Sequence, residues 1–543
     1  MRLFKRKSRP RWNDIRRPLI ENNNNNIPCG KMPFYNEHHQ AGNENPSAQD
    51  MFNTHTEQPL QSEEEIPPQP LAERLGLTPD ACISEDQKEN VSHLIQRSVS
   101  QHFPKPPADL NLNLNQNLQQ HLLNVQETFH NERLKMGPQR TSTELECLIV
   151  IYHIKTFHHL MDLLQNISSS QNIFVLMKWV LHTYLSQDLL GHPELKEMDP
   201  IKKVDLLLLT EWAQKAKNKL LEKVQKEVRE SLENILQIER RQEGCDCEEA
   251  YVQLYVDTIQ CVEAKPKEAK KISLKVYFLV QKVCFQELLT FLKRYTVEQA
   301  KILGEKAKIN APETIYFFKT LKTCIELKRF VQTKRKHIKR SLCNEIVATL
   351  ENMEDFTLKL LLDVVSEIAE IHLAKYFKSR NKHFFFLIDI VKMHFPKLSY
   401  CKDVLKIVMD GVYNIIAHIY LKYLVQSRQS KLKSCWNPNV GQTVTEDAEL
   451  LHYTILDLAP GVRQWNFTLL KVPELLECRD TEAVKIIVAV MQHACPTWSD
   501  NLQLLPALLR FKGLSWGQVK EVLDALPGQR PVSIFWFYFF NCW

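Results

Sequence analysis

Glycine is scarce in this sequence, with 13 glycines in 543 residues. Average proteins contain about 7% glycine, roughly three times this share. β-Hairpins and phosphate-cradling loops require glycine where the backbone adopts positive φ. The scarcity therefore argues against β-sandwiches, Rossmann-like domains and P-loop enzymes, and it favours long helices.

Proline is also scarce in the larger part of the chain, because 14 of the 26 prolines precede Gln139. Proline interrupts helices, so we expect a disordered head followed by a body of long helices.

The sequence lacks an uninterrupted run of the ~18 apolar residues that a transmembrane helix requires. Its basic start leads into Asn22–Asn26 rather than into an apolar signal segment.

The 14 cysteines show no disulfide-framework spacing. The close pair Cys245 and Cys247 lacks a second pair or a nearby histidine at ligand spacing, and it is weak evidence for zinc. His153, His158 and His159 miss the i, i+4 spacing of helical metal ligands. We expect reduced core cysteines in a soluble, cytoplasmic protein with no metal and no cofactor.

Catalytic motifs are missing from the sequence, including the nucleophile elbow, the Walker A loop, the zinc-protease HExxH and the kinase motifs. Each of these motifs supplies its chemistry through residues at fixed spacing, and several also need glycine. The sequence therefore predicts that this protein is not an enzyme.

Helical periodicity begins near Ser142, and its clearest example is residues 199–241. There Asp199 is a candidate N-cap, Pro200 takes the first helical position, and apolar residues recur every three to five positions. The pattern predicts one long helix from Asp199 to Arg241.

Short helices with readable caps follow in the last part of the body. Asp480 is a candidate N-cap, Gly513 ends a helix, and Ser515 with Gln518 has the spacing of a capping box. After these helices, residues 531–543 are rich in aromatic side chains and carry no charge. We interpret this tail as foreign to the fold, with an interfacial membrane anchor and an aggregation-prone strand as alternatives.

These patterns predict an all-α protein with a disordered N-terminal head, and the family resemblance described below implies an elongated rod of helical bundles in series. We divide the chain into a disordered head with a basic tip (1–138), an N-terminal helical bundle region (139–310), a middle helical bundle (311–440), a C-terminal helical end-cap (441–528) and an aromatic tail outside the fold (529–543). Within the head, short helices are expected around residues 86–99 and 118–134.

Positive charge is concentrated in the first 17 residues, which carry eight Lys/Arg and one acid, whereas residues 18–138 carry 16 acids and 7 Lys/Arg. We call the eight cations the basic tip: Arg2, Lys5, Arg6, Lys7, Arg9, Arg11, Arg16 and Arg17. Each Lys or Arg near an anionic leaflet contributes about 1 kcal/mol, so we expect the tip to bind anionic plasma-membrane lipid such as phosphoinositide. A nuclear localisation signal and a solvated arm without function are the alternatives.

A second basic run lies at the predicted end of a helix: Lys328, Arg329, Lys334, Arg335, Lys336, Lys339 and Arg340. Cations at a helix C-terminus complement its dipole, and a solvated face is the simpler interpretation. The alternative is a binding site for an acidic protein partner. We do not expect nucleic-acid binding, because few aromatic side chains interleave the cations.

Two segments carry a family resemblance. The first is Val472–Leu476, followed by Arg479–Thr481 and by Leu504–Gly513; the second is Trp179–Leu195, with its Gly-His-Pro sequence. In these motifs the chain resembles the exocyst complex component 3 family, which includes the exocyst component 3-like proteins and tumour necrosis factor alpha-induced protein 2. The similarity covers about residues 140–528, and its motifs are structural.

The resemblance implies a rod of stacked helical bundles that acts without enzymatic activity in exocytosis. It implies vesicle tethering, binding to exocyst subunits and SNARE proteins, a small GTPase as a further candidate partner, and a cytoplasmic location at the plasma membrane. The alternative from another class is a cytosolic signalling adaptor or membrane-protrusion factor whose basic tip is a nuclear signal.

Overall fold

The computed structural model describes residues 85–106, 114–135, 142–186, 189–192, 195, 199–241, 248–378, 383–395, 401–436, 439–494 and 504–526. Every regular element in these ranges is helical, and the same ranges contain no strand. The predicted all-α fold is therefore confirmed. The basic tip, Cys245, Cys247 and the aromatic tail lie outside the described residues, so what the sequence predicts for them stays a prediction.

Long helices dominate the first half of the described chain, as the scarcity of glycine and proline predicts. Helices α1 to α8 are Glu85–His102, Leu114–Lys135, Ser142–Asn166, Ser170–Trp179, Pro200–Lys203, Leu206–Arg241, Glu248–Lys270 and Leu274–Lys306. A π-helical turn, Val180–Tyr184, continues α4.

The second half of the described chain alternates long and short helices. Helices α9 to α19 are Thr314–Thr333, Arg340–Tyr376, His383–His394, Lys402–Gln426, Gln429–Cys435, Val440–Leu458, Phe467–Leu470, Val472–Glu477, Thr481–Ala494, Leu504–Lys512 and Trp516–Asp524.

The start of the long helix α6 differs from the prediction. Asp199 has a positive φ of 45° and makes no side-chain capping bond, and α5 behind it is only four residues long. Val204 then adopts an extended backbone and is buried. Asp205 is the residue that caps α6, since its Oδ1 accepts from the backbone N–H groups of Leu207 (2.9 Å) and Leu208 (3.1 Å). The prediction of one helix capped by Asp199 is wrong, because the extended backbone at Val204 interrupts the helix after one turn and Asp205 caps the longer helix that follows.

The chain forms two compact units. Unit 1 consists of Met1–Glu227 and Pro266–Val280. In it, α1 packs against α3, and α2 packs against α3 and α4. Val91, Ile95 and Val99 recur every four residues on α1 and are buried, which gives this helix one apolar face. The packed part of the described chain therefore begins at α1, inside the segment that the sequence assigns to the head.

Unit 2 consists of Val228–Lys265 and Gln281–Trp543. Its centre is α12, which packs against α10, α14 and α18. A Cβ at Gly411 of α12 would lie 2.9 Å from Leu362 Cδ1 of α10, so glycine at this position leaves room for the Leu362 side chain. Among the described residues, one helix, α12, is long and apolar enough to suit a membrane span. In its most apolar stretch, 61% is buried inside the protein. We interpret it as a core helix.

The predicted caps near the end of unit 2 are confirmed. Asp480 Oδ2 accepts from the Ala483 N–H at 3.1 Å. Gly513 has φ 104° directly after α18, a conformation that L side chains rarely adopt. Ser515 and Gln518 form the capping box, in which each side chain accepts from the backbone N–H of the other residue. These elements follow from local sequence because each cap satisfies backbone groups within three residues.

Candidate functional site

The second basic run begins in α9, crosses a short turn and ends at the first residue of α10. The N–H of Lys334 bonds to the Val331 carbonyl (3.1 Å), and the N–H of His337 bonds to the Lys334 carbonyl (2.9 Å). Ile338 is buried in the middle of the turn. Because α9 and α10 pack against each other, this anchored turn joins two fixed helix ends.

Three of the seven cations form ion pairs within unit 2, and we call Lys328, Arg329 and Lys334 the inner cations. Lys328 Nζ lies 2.6 Å from Glu354 Oε2 on α10, and both side chains are about four-fifths buried, with 20% and 18% exposed. Burial raises the pKa of Glu354, and the hydrogen bond from Lys328 opposes that rise. This pair ties α9 to α10.

The other two inner cations reach further elements. Arg329 contacts Glu326 (2.7 Å) within α9 and Asp403 (3.4 Å) on α12. Lys334 Nζ lies 2.5 Å from Glu263 Oε1 on α7 and 5.7 Å from the centre of the Phe330 ring. The inner cations therefore connect α9 with its neighbours, and their charges are already matched.

The remaining four cations have a different environment, and we call Arg335, Lys336, Lys339 and Arg340 the outer cations. All four side chains are exposed. In the part of the chain that the structure describes, none of them forms an ion pair or a side-chain hydrogen bond. The turn thus presents four positive charges to solvent with no matching carboxylate.

The helix dipole accounts for only half of this charge. Arg335 and Lys336 follow the C-terminus of α9, where cations are favoured. Lys339 and Arg340 stand at the N-terminus of α10, where cations are disfavoured, and the first turn of α10 contains no acid. Local helix stability therefore does not explain the second pair of cations.

Sequence reasoning found the basic run but missed its division into inner and outer cations. Glu326 was readable as a partner, since it lies three residues before Arg329 on the same helix. Glu354 and Asp403 are 26 and 74 residues away from the cations they contact. Only the packing of the helices brings these carboxylates to the cations.

His153, His158 and His159 lie in three different environments. His153 is buried, with Nδ1 at 2.9 Å from Tyr184 Oη and Nε2 at 3.1 Å from the Asp205 carbonyl. His159 is buried against His121, with 2.6 Å between their Nε2 atoms, and His158 is exposed. Among the described residues, no group of three or more His, Cys, Asp or Glu side chains could hold a metal ion.

Two comparisons with known proteins support the family resemblance that the sequence motifs indicate. No family model matches the chain. Over 398 residues the chain is 22% identical to the Exocyst complex component 3-like protein of Danio rerio, and this alignment covers 66% of the chain and 50% of that protein. Among solved structures, the crystal structure of M-Sec is similar with a TM-score of 0.63 and 15% identity, covering 84% of this chain and 81% of that chain. The resemblance to the exocyst complex component 3 family is confirmed.

The two similar proteins support different conclusions. At 15% identity, the likeness to M-Sec shows the fold. The chain spans about half the length of its curated exocyst component 3-like relative.

Proposed function

We propose that this chain is a non-enzymatic, exocyst-like scaffold that tethers secretory vesicles by binding an exocyst subunit or a SNARE protein. The family resemblance and the all-α fold support the general role. The observation that carries the binding site is the set of outer cations, which are exposed and unmatched while the inner cations beside them are paired.

The chemistry of the outer cations favours an acidic helical partner. Arg335 and Arg340 can each bind a carboxylate through two parallel N–H groups, whereas Lys336 and Lys339 act as point charges. Acids at i and i+4 on a helix stand about 6 Å apart on one face, so a short acidic helix can engage several cations of one turn. Such an interface associates rapidly and weakens with salt.

We extend the proposal to the basic tip, which supplies lipid attachment. Its eight cations support docking on anionic plasma-membrane lipid at the cytoplasmic face, with phosphoinositide as the strongest ligand. A small GTPase is a further candidate partner of the scaffold, by analogy with the exocyst-like family. No nucleic acid is expected to bind either basic segment.

The partner site is tested by titrating recombinant exocyst subunits and SNARE helices with the full chain. The variant replaces the outer cations (Arg335→Gln, Lys336→Gln, Lys339→Gln, Arg340→Gln). A matched control removes four exposed cations elsewhere in unit 2 (Lys392→Gln, Arg428→Gln, Lys431→Gln, Lys433→Gln). We expect the variant to lose about tenfold or more in affinity and the control to bind like the wild type. Equal losses in both would show that net charge, not this turn, drives binding.

Lipid docking is tested by flotation with vesicles of neutral lipid, with or without phosphoinositide. The full chain should float only with the anionic vesicles and should detach as salt rises. Replacing Lys5, Arg6, Lys7, Arg9 and Arg11 by Gln should abolish flotation. Salt-insensitive flotation with neutral lipid would contradict electrostatic docking.

A further inference from the structure

Helix α11 of unit 2 is apolar on nearly every side, yet one side of it is exposed. Asp389 and Lys392 are its only Asp, Glu, Lys or Arg residues. It packs against α10 and α14. On the exposed side, Phe386 is 56% and Met393 is 66% exposed. A helix that is apolar all round is normally buried all round, so this side of α11 is suited to pack against a partner.

An apolar cleft lies between α11 and α10. Val364 and Ile368 line it from α10, and Leu387 and Ile390 line it from α11. Three of these side chains are buried, whereas Ile390 is half-buried and lies where the cleft meets the surface. The cleft therefore opens toward the exposed side of α11, because Phe386 and Met393 lie one turn before and one turn after Ile390.

The two helices that form the cleft run antiparallel. Tyr376, the last residue of α10, contacts Phe384 near the start of α11, with 5.7 Å between the ring centres. From this contact the helices pack back along each other. In such a pair, residues that are offset from the cleft in the same rotational sense on each helix lie on the same side of the pair.

Each helix carries a stripe of exposed or half-buried residues along this side of the cleft, in steps of three or four residues. On α10 the stripe is Phe356, Leu360, Asp363, Glu367 and Ile371. On α11 it is Phe386, Asp389, Ile390 and Met393. We call the cleft and its two stripes the acidic groove.

The charges on the two stripes are all negative: Asp363, Glu367 and Asp389. In the part of the chain that the structure describes, none of the three forms an ion pair or a side-chain hydrogen bond. The exposed cations Lys359 and Lys392 are out of step with the stripes and stand on other faces of their helices. Lys375 lies in the last turn of α10, beyond the end of its stripe. The groove therefore combines exposed apolar side chains with unmatched negative charge.

We propose that the acidic groove binds a basic amphipathic helix of a partner protein. Apolar residues of that helix at i, i+3 or i+4, and i+7 pack into the cleft and against the stripes, and Lys or Arg residues on its flanks pair with the three acids. The stripe from Phe356 to Ile371 is about 22 Å long, a length that four turns of a helix match. The site is distinct from the outer cations, which suit an acidic partner.

Two other occupants suit the groove less well. The three acids repel an anionic membrane surface, which attracts cations. A second copy of the chain, bound through the same patch on both subunits, would bring the acids of one subunit near those of the other. A helix that carries cations gains from both the apolar and the acidic residues of the groove.

Fluorescence anisotropy of a labelled synthetic peptide, titrated with the full chain, tests the site. The peptide is an amphipathic helix of about four turns, with leucines on one face and lysines on its flanks. A second peptide has glutamates in place of the lysines. The wild type should bind the lysine peptide about tenfold or more tightly than the glutamate peptide, and salt should weaken this preference. Equal binding of the two peptides would overturn the proposal.

The acids are tested by the triple variant Asp363→Asn, Glu367→Gln, Asp389→Asn, which should bind the lysine peptide about tenfold or more weakly than the wild type. A matched control removes three exposed acids elsewhere in unit 2 (Glu449→Gln, Glu477→Gln, Asp524→Asn) and should bind within about twofold of the wild type. Equal losses in both would mean that net charge attracts the peptide, and the groove would be excluded as its site.

The apolar side chains are tested by Ile371→Gln with Met393→Gln, at positions exposed enough that the fold should persist. This variant should also lose about tenfold in affinity, whereas the control Val297→Gln with Ile486→Gln, at exposed positions elsewhere in unit 2, should bind like the wild type. Unchanged affinity of the groove variant would contradict a helix packed in the cleft.

Two further results would assign the groove to another occupant and overturn the proposal. One is self-association of the wild type in sedimentation that the groove variants abolish, which would indicate a second copy. The other is flotation with anionic vesicles that the apolar groove variant abolishes, which would indicate a membrane surface. The two peptides measured with the wild type test the proposal even if a variant fails to fold.

Discussion

The inner and outer cations of the second basic run are the same residue types, and a single turn separates them, yet their environments are opposite. The inner cations contact Glu354, Asp403 and Glu263 and join α9 to its neighbours. The outer cations are exposed and, among the described residues, unmatched. Charge that is paired within the fold contributes to stability, whereas charge that is left open is available to a partner. The comparison predicts that stability and binding separate at this turn.

The largest effect on stability is expected at Lys328. Replacing Lys328 by Met leaves the carboxylate of Glu354 largely buried without its cation, and we expect the free energy of unfolding to fall by about 1–3 kcal/mol. Without the lysine, burial raises the pKa of Glu354 further. A carboxyl with a raised pKa loses stabilisation as the pH increases, so the variant should be less impaired at pH 5 than at pH 7.

Chemical denaturation of the full chain, followed by circular dichroism at both pH values, measures this loss. The double variant Lys328→Met, Glu354→Leu is the control, because it removes the stranded carboxylate and should recover part of the stability. If the single and double variants were equally unstable, the loss would come from packing of the lysine stem rather than from charge.

A smaller effect is expected at Lys334, which is 32% exposed and pairs with the partly buried Glu263. Replacing Lys334 by Met should lower the free energy of unfolding by about 0.5–1 kcal/mol, as for ion pairs near the surface. The loss should shrink in high salt, because ions screen this pair more than the Lys328 pair. The same denaturation series at low and high salt checks the prediction, and a loss as large as that of Lys328→Met would contradict it.

The smallest effect on stability is expected from the four outer replacements together. Since no ion pair of the described residues is broken, the free energy of unfolding should change by less than about 0.5 kcal/mol for the four replacements together. Removing the repulsion between Lys339 and Arg340 at the N-terminus of α10 should offset part of any loss. Thermal unfolding compared with the wild type measures the change. A marked drop in melting temperature would mean that these side chains belong to the fold and would weaken the proposed binding role.

Sequence patterns predicted what depends on near neighbours and missed what depends on packing. The capping box of Ser515 and Gln518 was predictable, because both partners lie within one helical turn. The N-cap of α6 was not predictable from the sequence. The backbone is extended at the buried Val204, and Asp205 rather than Asp199 caps the helix. The carboxylates that neutralise the inner cations lie on other helices, and no local spacing marks them.

The same limit applies to the acidic groove. The apolar residues of α11 recur on all sides of the helix, so their spacing does not mark which of them are exposed. Ile390 of α11 and Val364 of α10 line one cleft only because the two helices pack together. Only this arrangement shows that Leu387 is buried and that Met393 is exposed.

The comparison leads to one division of roles, in which the outer cations bind a partner and the inner cations maintain the fold. Its most direct test is a side-by-side titration of one labelled exocyst subunit or SNARE helix with three proteins: the wild type, Lys328→Met and the fourfold outer variant. We expect the outer variant to be stable and to lose about tenfold or more in affinity. Lys328→Met should be less stable and should bind within about twofold of the wild type at a temperature where it is folded. Unchanged binding by the outer variant, or an equal loss in Lys328→Met, would contradict the claim.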